Sequence, residues 1–325
     1  MMAIKPCAKI LMFACLLRPF APDSWAQGYP EKVVRYVLPG SAGSGADLLG
    51  RMVAGGLTQV LGQQVIVENR TGAGGNIGAE IAAKAPADGY TLLQISVTHT
   101  VNVTLYRKLA YDVVRDFSPV THLATSPAIV IVHPALPVKS LADLVRLAKA
   151  KPGALNYASG GTGTPTFLGA ELFKSMAAVN MVHVPYRGGG ESLTAVISGE
   201  APVFFAPIAT TLQHVQQGRL RALAVTSGKR ISLLPGLPTV AESGYPGYES
   251  GNWYGLLAPA KTPKDTIAII RNAAVNALNK PDMGKRLLDL GYIVVGDQPE
   301  EFAAFIKSEI SAMGKIVRDL GLTAE

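Results

Sequence analysis

Apolar and polar positions along this chain switch between two periods. Val33-Val34-Arg35-Tyr36-Val37-Leu38 is a β-rich run, and Leu48, Leu49, Met52, Val53 and Leu57 then recur at helical spacing. Between them lies Pro39-Gly40-Ser41-Ala42-Gly43-Ser44-Gly45-Ala46-Asp47, a small-residue stretch that fits neither period. The pattern predicts strand, loop and helix. It recurs with a strand at Val65 to Asn69, a glycine-rich turn at Arg70 to Asn76 and a helix from Ile77 to Lys84. Asp88-Gly89 then turns into a third strand, Tyr90 to Ser96. From Ala128 the same order restarts: strand Ile129 to Val132, helix Leu141 to Ala150, strand Leu155 to Ala158, and helix Phe167 to Met176. The turn Ser159-Gly160-Gly161-Thr162-Gly163-Thr164 joins the last two. His183 to Tyr186, Val203 to Ala206 and Leu220 to Thr226 are further strands.

Strands alternating with helices predict an α/β fold with a mainly parallel sheet and ligand sites beyond the strands' carboxyl ends. One echo bears on the domain count. Ile131 to Ser140 and Leu256 to Asp265 each read as a strand, two prolines and a helix start, as expected if the chain crosses once into a second lobe and once back.

The glycine turns are the candidate chemistry. Small residues let backbone N–H groups converge, and a following helix adds its positive end, so each turn is a plausible anion seat. Each is also open to a plainer reading as a tight connection that needs positive φ. Asp47 is placed to cap the first helix, and Thr164-Pro165 is a good N-cap and N1 pair. Arg187, beside Gly188-Gly189-Gly190, could clamp a carboxylate in bidentate fashion or pair with Glu191. Trp253 and Tyr254 could wall a cleft or pack in the core, and Asn102 and Tyr106 carry the same two readings.

With 325 residues, 48% of them hydrophobic, the chain can bury a large core or two. Its net charge is +7, but Lys and Arg are scattered without a basic stripe, which argues against nucleic acid and for a mild general attraction to anions. Residues 1–26 read as a signal peptide: Lys5 and Lys9, apolar Ile10 to Leu17, then Ser24-Trp25-Ala26 as a cleavage site. Cleavage takes away Lys5, Lys9, Arg18 and Asp23 and lowers the charge by two, to +5. Cys7 and Cys15 go with the signal, so the mature chain is expected to hold neither disulfide nor thiol. Met12-Phe13-Ala14 is a poor lipidation motif before Cys15.

Enzyme motifs are missing. There is no Gly-x-Ser-x-Gly elbow, no Gly-x-x-x-x-Gly-Lys phosphate loop and no His-Glu-x-x-His, and the five histidines are dispersed. Ser159 with a distant histidine and an acid would be needed for hydrolysis; a hydrogen-bonding loop role is the simpler reading. The expectation is binding without turnover, with no metal and no cofactor.

Together the motifs resemble the Bug family of periplasmic solute-binding proteins, the TctC-like receptors of tripartite tricarboxylate transporters. The landmarks are Asn69 to Gly78, Asp88 to Leu93, Tyr157 to Thr164, His183 to Gly188 and Leu234 to Glu242. The resemblance implies an α/β, two-lobed periplasmic-binding-protein fold of the Venus flytrap type II class. Residues 27–124 and 249–325 would form one lobe and 125–248 the other. It implies a small carboxylate held at Ser41, Ala42, Gly43, Ser44, Asp47 and Thr98 of the first lobe. Across the cleft, Ser159, Gly160, Gly163, Thr164, Arg187 and Gly188 would face them. The expected setting is a periplasmic monomer that delivers ligand to membrane transporter subunits, or alternatively signals to a sensor kinase. Two departures are expected to shape the ligand choice: the first turn lacks the family's usual Pro-Gly-Gly, and Phe167 replaces its usual histidine. Val103, where the family often has proline, is a smaller one.

Overall fold

The computed structural model describes Met2 and residues 28–323; apart from Met2, the expected signal peptide lies outside the described residues. The chain runs β1 (Val34–Leu38), α1 (Gly45–Leu61), β2 (Val65–Asn69), α2 (Asn76–Ala83), β3 (Thr91–Ser96), α3 (Val97–Leu105) and β4 (Phe117–Val132). It continues with α4 (Leu141–Ala150), β5 (Asn156–Ser159), α5 (Pro165–Ala177), β6 (Val182–Pro185), α6 (Gly189–Ser198), β7 (Val203–Pro207), α7 (Ile208–Gln216) and β8 (Arg221–Val225). β9 (Gly251–Pro259), α8 (Lys264–Leu278), α9 (Pro281–Asp289), β10 (Ile293–Val294) and α10 (Pro299–Asp319) complete it.

The strands lie in the order β2-β1-β3-β9-β4-β7-β5-β6, with β8 and β10 also pairing to β4. β1 is parallel to β2 and β3, and β5 is parallel to β6 and β7. Every pair that includes β4 or β9 is antiparallel, so the sheet is mixed where the sequence predicted a mainly parallel one. These are the strands that carry the chain between the two halves, and they run in opposite senses. β4 pairs with β9 from Phe117↔Pro259 to Pro127↔Gly251, then with β7 from Ala128↔Pro207 to Val132↔Val203. It is sixteen residues long, where the pattern predicted only its last four. Pro119 and Pro127 interrupt the apolar run, yet a register shift follows Pro119, and Pro127 falls at the change of partners.

Side chains alternate across the sheet, and both faces are covered, which is why the strands read as continuous apolar runs. Tyr36 and Leu38 face Leu49, Val53 and Leu57 of α1 with Ile270 of α8. Val37, one step out of phase, belongs with Leu93, Val130, Phe205, Phe173 and Phe302. Ile129, Ile131 and Phe204 pack with Leu193 and Val196 of α6. Helix ends follow local chemistry: Ser44 caps α1, and Gly62 ends it at φ 72°, a left-handed turn that favours glycine.

Gly255 in β9 shows how tight this packing is. A Cβ there would fall 1.9 Å from Cζ of Phe302 in α10. Gly255→Ala is expected to destabilise the fold by about 2 kcal/mol through overpacking, read as a lower urea midpoint with an unchanged slope. An unchanged midpoint would show that the ring has room to move. No helix among the described residues is long and apolar enough to cross a membrane.

Candidate ligand-binding cleft

Several strands end by feeding directly into helices, and these junctions converge. The N-terminal turns of α1, α3, α5, α6 and α7 all contribute to the wall of one cavity of about 470 Å³. The first turn of a helix leaves backbone N–H groups without intrahelical partners and carries the positive end of the dipole. Among the described residues Arg187 is the one Lys or Arg in the wall, and no Asp or Glu lines it.

On the first side the wall takes Ser41, Ser44, Gly45 and Ala46, whereas Ala42, Gly43 and Asp47 do not line it. Asp47 is buried and braces the loop from behind. Its carboxylate accepts from the Gly43 amide (3.0 Å), Arg51 Nε (3.0 Å) and Asn69 Nδ2 (2.9 Å), and its own amide donates to Ser44 Oγ at 3.3 Å. Burial alone would push this carboxyl up; the bonds from Arg51, Asn69 and Gly43 outweigh it and hold the pKa below the ordinary value. The Asp47 side chain is thus committed inside the loop, with its oxygens turned to Arg51, Asn69 and Gly43.

Thr71 to Gly75 also line the cavity. That turn is glycine-rich in the sequence but is not among the expected site residues. Asn102, fully buried behind it, donates to Gly74 O at 3.0 Å and Asn76 Oδ1 at 2.8 Å, and so fixes the turn without lining the cavity. Thr98 lines the wall, together with Ser96 and His99. Tyr254 does too, but Trp253 packs away among His122, Phe302 and Phe305, with its Nε1 donating to Glu309 at 2.7 Å.

On the second side Gly160, Thr164, Thr166, Arg187, Gly188 and Gly189 line the cavity, while Ser159 and Gly163 do not. Thr164 precedes α5 as predicted, but its hydroxyl donates to Gly161 O at 2.6 Å rather than capping the helix. Phe167 is buried, its ring centroid 4.7 Å from that of His183, and it stays outside the wall. The expectation that Phe167 shapes ligand choice directly is therefore corrected: it is core. Arg187 is exposed; the Glu191 carboxylate accepts its backbone N–H at 3.1 Å, and its guanidinium makes no ion pair among the described residues. The two sides meet at the rim, where a Cβ on Gly188 would fall 2.2 Å from Ser41 Oγ. At the base, where β4 changes partners, Ser126, Ala128 and Ser250 to Asn252 close the cavity.

Ser159 and His183 form a close pair, Oγ to Nε2 at 2.6 Å. Ser159 Oγ also accepts from the Gly161 amide at 3.1 Å and is fully buried. The nearby acid, Glu171, is engaged by Tyr157 Oη and by Lys174 Nζ, and among the described hydrogen bonds none joins it to His183. A nucleophile needs access and an oriented base, and this pair is a loop anchor by both criteria. No group of three or more potential ligands among the described residues could hold a metal.

The family profile described as "Tripartite tricarboxylate transporter family receptor" matches residues 49–322. Protein BugT of Bordetella pertussis is 33% identical over 305 residues, 93% of each chain. Among solved structures, an R. palustris protein with adipate is 33% identical with a TM-score of 0.88, over 91% of this chain and 99% of that one. MatC from Rhodopseudomonas palustris with bound malate is 30% identical with a TM-score of 0.84, over 89% and 100%. The fold is that of the periplasmic binding proteins, and the chain belongs to the TctC, or Bug, family of solute receptors.

Proposed function

We propose that this chain is an extracytoplasmic receptor that closes on a small organic carboxylate and delivers it to a membrane transporter of the tripartite tricarboxylate type. The observation that carries this reading is the cavity wall: among the described residues it has five helix N-termini and one guanidinium, with no carboxylate. Such a wall favours an anion and opposes a cation. Relatives solved with malate and adipate support the same ligand class.

In this reading the carboxylate is held by backbone amides and hydroxyls around Ser41 to Ala46, by Gly160 to Thr166 opposite, and by the free Arg187 guanidinium. Residues 27–124 with 249–325 form one lobe and 125–248 the other, and they turn about Ser126 to Ala128 and Ser250 to Gly251. Closure removes water from the ligand and strengthens each of these bonds. The receptor is exported by residues 1–26, acts as a monomer, and needs no cofactor.

Thermal melting of residues 27–325 against a panel of mono-, di- and tricarboxylates and neutral amides tests it. A carboxylate at about 100 times its Kd is expected to stabilise the protein by roughly 2.7 kcal/mol. Shifts from neutral compounds alone would sink the reading.

A further inference from the structure

Two side chains that line the cavity carry a buried polar atom with no hydrogen-bond partner among the described residues: Tyr186, whose hydroxyl lies near Glu200, and His99. His99, the third residue of α3, is 3% exposed and lines the cavity. Its Nδ1 lies 3.2 Å from the Ser96 backbone N–H and 3.4 Å from the Ser96 carbonyl; the shorter contact, part of the box that caps the helix, assigns Nδ1 as the acceptor. In a neutral imidazole an accepting Nδ1 leaves the ring hydrogen on Nε2. Burial keeps this ring neutral, with its pKa pushed down to about 4. Nε2 is buried and has no hydrogen-bond partner among the described residues. It lies against the backbone at Gly75, where a Cβ would fall 3.2 Å away at a φ of +89°.

The capping role does not explain a histidine, because any short acceptor can take the Ser96 amide. What the imidazole adds is a second nitrogen on the opposite side of the ring, and a buried donor without a partner costs free energy. Asn102, one turn further along α3, also has a buried atom without a partner, the acceptor Oδ1, but it lies outside the wall. With Nδ1 accepting, the leftover group of His99, the wall residue of this pair, is a donor. We propose that the Nε2–H of His99 donates to an oxygen of the bound organic acid and selects ligands that place an acceptor there. An ammonium or a methyl group at that point would leave the N–H unmet. This inference rests on the receptor reading and names one selecting group within that site.

Two isosteric variants separate the two ring nitrogens. His99→Asn keeps an oxygen near the position of Nδ1 and removes the distal donor; His99→Gln keeps an N–H near Nε2 and disturbs the cap. Residues 27–325 of each form would be titrated calorimetrically with acetate, succinate, malate, adipate and citrate, and melted without ligand. His99→Asn is expected to weaken the tightest of these acids by about 10- to 100-fold with little change in melting, the range for a lost bond to a charged acceptor. His99→Gln is expected to melt lower yet bind within about threefold of the unmodified protein. Full affinity in His99→Asn would overturn the proposal, as would affinity losses that follow melting in both variants. If the unmodified protein binds none of the five acids, the receptor reading fails and takes this proposal with it. Binding by the unmodified protein and by His99→Asn alike would remove only the role of His99.

Discussion

Gly188→Val is expected to weaken carboxylate binding by more than about 100-fold, roughly 2.7 kcal/mol, while the ligand-free protein keeps its fold. Gly188 has φ 154° and ψ 177°, a region where only glycine is comfortable, and other residues there cost about 1–3 kcal/mol. The added side chain also meets the opposite rim, since a Cβ would fall 2.2 Å from Ser41 Oγ and 3.0 Å from Ser41 Cβ. The clash belongs to the approach of the two rims, so separated rims relieve it; the backbone cost is local to Gly188. Gly189→Ala is the control, because a Cβ at Gly189 meets nothing within 4 Å. Calorimetric titration should find the control within about threefold of the unmodified protein. Equal affinity in Gly188→Val would mean that the rims need not meet for the ligand to be held.

Acid is expected to destabilise the fold well before its carboxylates titrate. His99 and His122 are 3% and 5% exposed, and burial lowers each pKa from 6.5 to about 4. His122 lies against Trp253, Phe302 and Phe305, stacked on the last at 4.8 Å, while Asp297 bonds its backbone amide rather than its ring. The unfolded chain takes up protons below about pH 6.5 that the folded chain refuses until about pH 4. Stability is therefore full above pH 6.5, falls through that window and levels off below it. At pH 5 the loss is about 2 kcal/mol for each histidine. His183, also lowered by burial, acts in the same direction. Asp297 and Glu309, raised by burial, act against it at the acid end. Urea midpoints from pH 8 to pH 5 would show the fall, and His122→Phe should remove about half of it. A flat profile would mean that these rings are hydrated.

Much of the fold is legible in the sequence because its helices outside the cleft carry one apolar stripe. Leu141 to Ala150 is a helix with those bounds, since Leu141, Leu144, Val145 and Ala148 face inward and Ser140 with Asp143 caps it. The stretch after β3 hides its helix for the opposite reason. Val97 to Asn102 are all buried, so α3 shows no alternation of polar and apolar faces. With that helix went His99. β4 was hidden by Pro119 and Pro127, whose meaning depends on a change of neighbouring strand that no local pattern carries. The glycine turns pointed to the cleft by composition, but composition could not separate Ser41 and Ser44, which line it, from Asp47, which braces it from behind. That distinction depends on Asn69 and Arg51, brought there by β2 and by the next turn of α1.

The five helix ends that share this cavity all carry the same partial sign. Bringing two of them from one side against three from the other is self-repelling until a counter-charge lies between them. In the receptor proposed above, a bound acid would be the countercharge that makes the shut form the favoured one, much as an ion bridges two like plates. A membrane partner that reads only the shut form would ignore receptors with nothing to deliver, and the cleft's own electrostatics would keep them from competing for it.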